Sequence, residues 1–273
     1  MILTFNNVAK AYGGIRALES LSLGVERNEI VALLGPNGAG KTTTLEIALG
    51  LRTADAGEVR LFEAPPHNAA ARRRVGVTPQ QSGFPDMLRL DEIMALVAEH
   101  YPNPTPIPEA LARFGLGEMA KRRAGTLSGG QSRRLALALA FVGNPEFVVL
   151  DEPTTGLDVE SRRRLWEVVR HLGRGRSILF TTHHLEEAQA LSTRILVVDH
   201  GRLIFDGDAR ALRERAGGRS LTYVGEDGPV SVTTNDSDAY VRAMVSAGVN
   251  FQDLEISRPS LEEAFLSITG GIK

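Results

Sequence analysis

Ile30-Val31-Ala32-Leu33-Leu34-Gly35-Pro36-Asn37-Gly38-Ala39-Gly40-Lys41-Thr42-Thr43 is the stretch whose reading decides the fold. Its first five residues are apolar on both faces, the pattern of a strand buried inside a parallel sheet. The strand runs straight into a glycine-rich loop, and Thr42–Leu51 reads as the helix that follows, closed by Gly50. Strand, loop, lysine and hydroxyl together match the phosphate-loop pattern. The glycines let the backbone curl so that N–H groups meet phosphate oxygens, and the helix adds its positive N-terminal end. Lys41 contributes a mobile positive charge, and the Thr42 hydroxyl is a hard oxygen ligand suited to Mg²⁺. The run from Gly35 through Thr43 is therefore expected to hold the phosphates of a nucleoside triphosphate.

Two further motifs extend that chemistry. Phe147-Val148-Val149-Leu150-Asp151-Glu152 is an apolar strand ending in two carboxylates, uncommon without a cation or a reaction to serve. In a phosphate-loop protein Asp151 is placed to hold Mg²⁺ and Glu152 to polarise an attacking water. Leu127-Ser128-Gly129-Gly130-Gln131 stands just before a helix, so Ser128 and the glycine N–H groups form a second anion-binding helix start. One triphosphate does not need two such starts, which points to two copies completing each other's sites.

These motifs, in this order, resemble the nucleotide-binding subunit of an ATP-binding cassette (ABC) transporter over residues 1 to about 210. The resemblance implies a phosphate-loop NTPase fold of α/β class. It has a parallel-sheet core, an N-terminal antiparallel β subdomain and a helical insertion. It also implies ATP and Mg²⁺ as ligands, an ATPase activity, a head-to-tail homodimer and a separate transmembrane permease as partner. Residue by residue, Tyr12 matches the aromatic that stacks on adenine. Gln80, preferred over the adjacent Gln81, matches the glutamine that senses Mg²⁺ and the γ-phosphate. Asp158 matches the loop that crosses the dimer interface. His183, preferred over His184 because it directly ends its strand, matches the histidine at the γ-phosphate; His184 is expected to face solvent. Ser128, Gly129, Gly130 and Gln131 match the signature that caps the γ-phosphate of the opposite copy. Ser132 departs from the family, which commonly has a basic residue there.

Around these motifs the pattern predicts strands over Ile2–Phe5, Leu18–Val25, Val59–Phe62, Val75–Thr78 and Ile178–Thr182, and a hairpin over Ile195–Phe205. Helical periodicity marks Asp91–His100, Glu109–Phe114, Ser132–Val142 and Glu160–Leu172. The proline-rich Tyr101–Pro108 reads as a stiff surface connection. Residues 1–208 are expected to form the ATPase domain, with a helical subdomain over about 82–145. Residues 209–273 are expected to form a small α+β appendix, with the helix Asp236–Ala247 and a last helix Ser260–Ile268. The ending Arg258-Pro259-Ser260-Leu261-Glu262-Glu263-Ala264-Phe265-Leu266 resembles that of ABC-2 exporter ATPases of the drug, antibiotic and sodium type.

Composition restricts the alternatives. With 273 residues the chain can bury a large core. Its net charge of -2 gives no general attraction to nucleic acid or to an anionic membrane. The arginine clusters Arg72-Arg73-Arg74, Arg133-Arg134 and Arg162-Arg163-Arg164 fall on different elements without interleaved aromatics. They read as solvated helix faces and salt bridges. There are no cysteines, which excludes disulfides and thiol chemistry. No signal peptide or membrane span is legible, so the expected location is cytoplasmic, held at the inner face of the membrane through the permease. The segment Gln80–Leu90, with Phe84, Met87 and Leu88, is expected to border a groove for a helix of that permease. A cassette ATPase of translation or DNA repair, or a regulatory module that binds ATP without hydrolysing it, stands as the alternative. The former usually has two cassettes or a coiled-coil insertion, and the latter fits poorly with Glu152 and His183.

Overall fold

The computed structural model describes residues 1–78, 83–225 and 227–270. Two compact units divide the chain, Met1–Asp206 and Gly207–Lys273.

In the first unit, β1 (Leu3–Tyr12) and β2 (Ile15–Val25) form an antiparallel hairpin that turns at Gly13 and Gly14. Both strands are longer than the alternation predicts. Pairing continues through the polar Asn6, Asn7 and Lys10, where register shifts break the apolar pattern. After β3 (Ile30–Leu34) and α1 (Lys41–Ala48), β4 (Ala56–Leu61) returns to the free edge of β1, giving the order β2-β1-β4. Helix α1 is shorter than expected, because Leu49 caps it and Gly50 turns left-handed at φ 64.

A short α2 (Ala69–Arg72), capped by Asn68, leads to β5 (Val75–Thr78). The helices α3 (Leu90–Ala98), α4 (Ile107–Arg113) and α5 (Gly129–Val142) follow. The proline-rich stretch is not only a surface connection: α4 starts inside it with Pro108 in the first turn, and the Tyr101 hydroxyl donates to the Val75 carbonyl at 3.0 Å. Next come β6 (Phe147–Asp151), α6 (Val159–Leu172) and β7 (Ser177–Thr181). The unit closes with α7 (Leu185–Leu191), β8 (Arg194–Asp199) and β9 (Arg202–Gly207). Helix α7 was not expected. Seven residues with only Glu187, Ala188 and Leu191 buried are too few to display a helical period.

The main sheet has the order β5-β6-β7-β3-β8-β9. The pairs β5–β6, β6–β7, β7–β3 and β3–β8 are all parallel. The C-terminal ends of β6, β7 and β3 are therefore neighbours at one edge, where ligands of open α/β sheets bind. Helix α5 lies so close to β5 that a Cβ on Gly76 would stand 1.7 Å from the Ala140 carbonyl oxygen. One core joins the two sheets: Val31, Leu33, Phe147, Val149, Leu179 and Leu196 pack with Leu3, Phe5 and Leu21 and with Leu45 and Ile47 of α1. That core fixes the phosphate loop at both ends.

The second unit holds α8 (Ala209–Ala216), β10 (Arg219–Gly225), β11 (Gly228–Thr234), α9 (Ser237–Ser246), β12 (Gln252–Ser257) and α10 (Leu261–Ile268). Its antiparallel sheet has the order β11-β10-β12. Leu212, Leu221, Leu261 and Ala264 are buried as its core. Ser260 and Glu263 close α10 with a reciprocal capping box.

Candidate functional site

The loop after β3 begins its helix from Gly40, whose φ of 104 is left-handed. A Cβ there would meet the Ala17 carbonyl at 2.5 Å, so conformation and contact both require glycine. The first turn of α1 contains no acidic residue, and no side chain caps it. Lys41, Thr42 and Thr43 thus present N–H groups that have no acceptor within their own helix, at its positive end. Lys41 Nζ donates to the carbonyls of Gly35 at 2.7 Å and Pro36 at 3.0 Å, which sets its ammonium over the loop. Burial pulls the Lys41 ammonium below its ordinary range, opposed by the Glu152 and Asp151 carboxylates.

A cavity of about 370 Å³ is lined by Tyr12, Ala17, Asn37, Gly38, Gly40, Lys41, Thr42, Thr43, Asp151 and Glu152. Loop, lysine, hydroxyl, carboxylate pair and aromatic therefore share one space. A larger cavity of about 590 Å³, lined by His67, Arg72, Arg73, His100 and Tyr101 among others, shares no residue with it and has neither loop nor carboxylate pair.

Thr181, at the end of β7, organises the carboxylates. Its hydroxyl donates to Asp151 Oδ1 at 2.5 Å and accepts the Glu152 N–H at 3.0 Å. Burial pushes the Asp151 carboxyl above its usual range, reinforced by the neighbouring Glu152 charge and opposed by Thr181, Arg133 and Lys41. Glu152 takes a left-handed φ of 47, its Oε2 accepts from the Thr155 hydroxyl at 3.0 Å, and its Oε1 lies 3.3 Å from His183 Nδ1. The His183 and His184 rings stand 4.0 Å apart. The expectation that His184 faces solvent is corrected: His184 is half-buried and His183 is the exposed member of the pair.

Tyr12 ends β1 at the hairpin tip, 37% exposed, with Lys10 Nζ 5.6 Å and the Arg52 guanidinium 5.3 Å from its ring centre. Asp158 caps α6, accepting the Ser161 N–H at 2.8 Å and the Ser161 hydroxyl at 2.7 Å. Those bonds hold its carboxyl below the usual range. Gln80 lies outside the described residues.

Ser128, Gly129 and Gly130 do not line the phosphate-loop cavity. Ser128 caps α5, its Oγ accepting the Gln131 N–H at 3.3 Å, while Gln131 Oε1 accepts the Ser128 N–H at 3.0 Å. This reciprocal box is a physical reason for a glutamine at that position.

The arginine reading is corrected at Arg133. It is 8% exposed and no solvated face. Its guanidinium donates to the main-chain carbonyls of Asp151, Glu152 and Pro153. Arg164, by contrast, does pair with Glu160 on the surface of α6. Three residues escaped the sequence reading: Thr181, Thr155 and Arg133. A signal existed for Arg133, because it falls on the same helical face as the buried Leu137 and Ala140.

Among the described residues no group of three or more His, Asp or Glu forms a metal site by itself. The donor set nevertheless fits Mg²⁺, which is usually held by one or two carboxylates together with substrate phosphates. Asp151 and the Thr42 hydroxyl line the same cavity and supply hard oxygens.

With this geometry in place, sequence and structure comparisons agree. A profile of the ABC transporter family matches residues 18–155. The doxorubicin resistance ATP-binding protein DrrA of Mycobacterium tuberculosis is 36% identical over 98% of this chain and 94% of its own length. The Nod factor export ATP-binding protein I of Burkholderia orbicola is 43% identical over 78% of this chain and 72% of its own length. A dimeric ATP-binding cassette in a post-hydrolysis state, bound to ADP and Pi, superposes with a TM-score of 0.69 at 25% identity, covering 76% of this chain and 98% of that one.

Proposed function

This chain belongs to the ABC transporter family and is one of its ATPases, and we propose that it works as a head-to-tail homodimer driving a separate export permease. The observation that carries the reading is a division of labour within one chain. Lys41, Thr42, Asp151 and Glu152 share a cavity to which Ser128, Gly129 and Gly130 contribute nothing. A second copy would supply the missing helix start.

In this reading the loop N–H groups and Lys41 hold the β- and γ-phosphates, and Tyr12 stacks on the adenine. Thr42, Asp151 and Gln80 would hold Mg²⁺, whose chemistry is to neutralise charge across the β- and γ-oxygens. Glu152 accepts a proton from the water that attacks the γ-phosphorus as the bond to the β-phosphate oxygen breaks. His183 steadies the γ-phosphate beside it. Ser128, Gly129 and Gly130 of the opposite copy cap that phosphate, and Asp158 lies at the crossing between copies. Most of the rate gain comes from positioning and charge stabilisation, since phosphoryl transfer asks little covalent help of a protein.

No helix among the described residues is long and apolar enough to cross a membrane; in this reading the membrane is crossed by the permease. The relatives named for doxorubicin resistance and Nod factor export support an exporter of organic compounds, with cargo selected by the permease. Gln80 links the site to that permease, and the segment through Leu90 borders its groove. Met87, 68% exposed, supports this placement of the groove. The test is Glu152→Gln: an ATP-dependent dimer that accumulates without turnover is expected, and unimpaired hydrolysis would refute the assignment.

A further inference from the structure

Ser128 and Glu152 belong to one chain yet serve different nucleotides of the proposed dimer, and one side chain ties them together. Arg133 lies five residues beyond Ser128 on the buried side of α5. Its Nε donates to the Pro153 carbonyl at 2.9 Å. Its Nη2 donates to the Asp151 carbonyl at 2.6 Å and to the Glu152 carbonyl. Three successive carbonyls at the end of β6 are thus gathered by one guanidinium. The turn they form needs holding, because Glu152 occupies the left-handed region that a side chain with a Cβ adopts only under constraint.

These three contacts all go to main chain. Arg133 therefore fixes the backbone from which Glu152 projects, while the Glu152 carboxylate lines the cavity. A planar fork with five N–H donors can reach three carbonyls at once; an ammonium on a flexible stem is a point charge with no such geometry. Burial pulls the guanidinium below its ordinary range, and the Asp151, Glu152 and Glu187 carboxylates oppose that pull only in part.

We propose that Arg133 is a positioning residue for Glu152. It makes the turn after β6 move with the signature helix, so that seating of Ser128-Gly129-Gly130 on one nucleotide sets the water-activating carboxylate over the other. This inference rests on the proposed dimer with Glu152 as proton acceptor.

The experiment compares Arg133→Gln, Arg133→Lys, Glu152→Gln and the Arg133→Gln/Glu152→Gln double variant of the full chain. The readouts are steady-state phosphate release with Mg-ATP, size-exclusion chromatography with ATP, and thermal melting. A misplaced carboxylate is expected to lower kcat of Arg133→Gln about 10- to 100-fold, with KM for ATP within about twofold. Arg133→Lys is expected to fall between it and the parent, and the double variant to form the ATP dimer as Glu152→Gln does. Parent-like kcat in Arg133→Gln beside an inactive Glu152→Gln would overturn the inference and leave the reading of the site standing. A rise in KM matching the loss in kcat, or failure of the double variant to dimerise, would also overturn it. Full turnover by Glu152→Gln would remove the reading and the inference with it. Should Arg133→Gln lose its cooperative melting transition, Arg133→Lys decides: reduced kcat at unchanged KM supports the positioning role, and parent-like kcat refutes it.

Discussion

His183 Nδ1 lies 3.3 Å from Glu152 Oε1, although the two residues are more than thirty positions apart in the chain. Adjacent parallel strands bring them together, with Asp151 of β6 opposite Thr181 of β7. If they act as one unit, their losses will not multiply. Glu152→Gln is expected to lower kcat by about 100-fold or more and His183→Ala by about 10-fold or more, with the double variant well above the product of the two. Phosphate-release kinetics over the four proteins measures this, and fully multiplicative losses would separate the residues.

Asp151→Asn should stabilise the fold while it damages the reaction. Burial raises the Asp151 carboxyl, so in its ionised form at neutral pH it costs stability. Asparagine keeps an acceptor for the Thr181 hydroxyl and removes the charge. Melting without nucleotide is expected to shift upward by a few degrees, at roughly 2–4 °C per kcal/mol, with turnover lost. A lower Tm would mean that Thr181, Lys41 and Arg133 hold the charge more firmly than burial opposes it.

Glu187 gives the fold a pH dependence of known sign. It is buried, accepts from Trp166 Nε1 at 3.1 Å, and burial raises its carboxyl above the ordinary value. The unfolded carboxyl loses its proton near about pH 4.3, while the folded one keeps it to higher pH. In that window the native state binds more protons, so stability falls as pH rises and levels off above the folded value. Glu187→Gln should flatten this decline in urea titrations run from acid to neutral pH; an unchanged slope would assign the dependence elsewhere.

Gln131 separates helix capping from contact with nucleotide. Gln131→Ala opens the capping box and should cost about 1 kcal/mol. Gln131→Glu keeps the box, since either side chain can reach back to the Ser128 N–H, but adds a negative charge beside the proposed γ-phosphate seat. Parent-like melting with turnover reduced about 10-fold or more is expected for Gln131→Glu, by analogy with other misplaced charges at phosphate sites. Full activity would argue against a nucleotide at this helix start.

Met87 offers a clean attachment point for testing the proposed permease contact, because the chain contains no cysteine. A single Met87→Cys in the assembled transporter should crosslink to the cytoplasmic side of the membrane subunit. Absence of any product in an active complex would move the groove elsewhere.

The phosphate loop was readable because its demands are local: a left-handed Gly40, then a lysine and a hydroxyl in consecutive positions. The Phe147–Asp151 strand was readable because burial on both faces leaves a continuous apolar run. What escaped was non-local. Thr181 matters through a strand neighbour that its own sequence context does not name, and Arg133 matters through carbonyls 18 to 20 residues away. Beside Arg134 it carries the composition of a surface pair, and only its helical phase against Leu137 betrays it. Helix α7 and the outer reaches of β1 and β2 lacked enough regular apolar positions to declare themselves.

The reciprocal bonds between Ser128 and Gln131 also govern how two copies would meet. A helix end closed by its own side chains arrives with its rotamers already chosen, so little conformational freedom remains to be lost on contact. The free energy of the bridging nucleotide then goes into the lifetime of the closed pair instead of into ordering the surface that receives it. Cleavage of that nucleotide has correspondingly little to undo, which suits a machine that must separate and close again at every turnover.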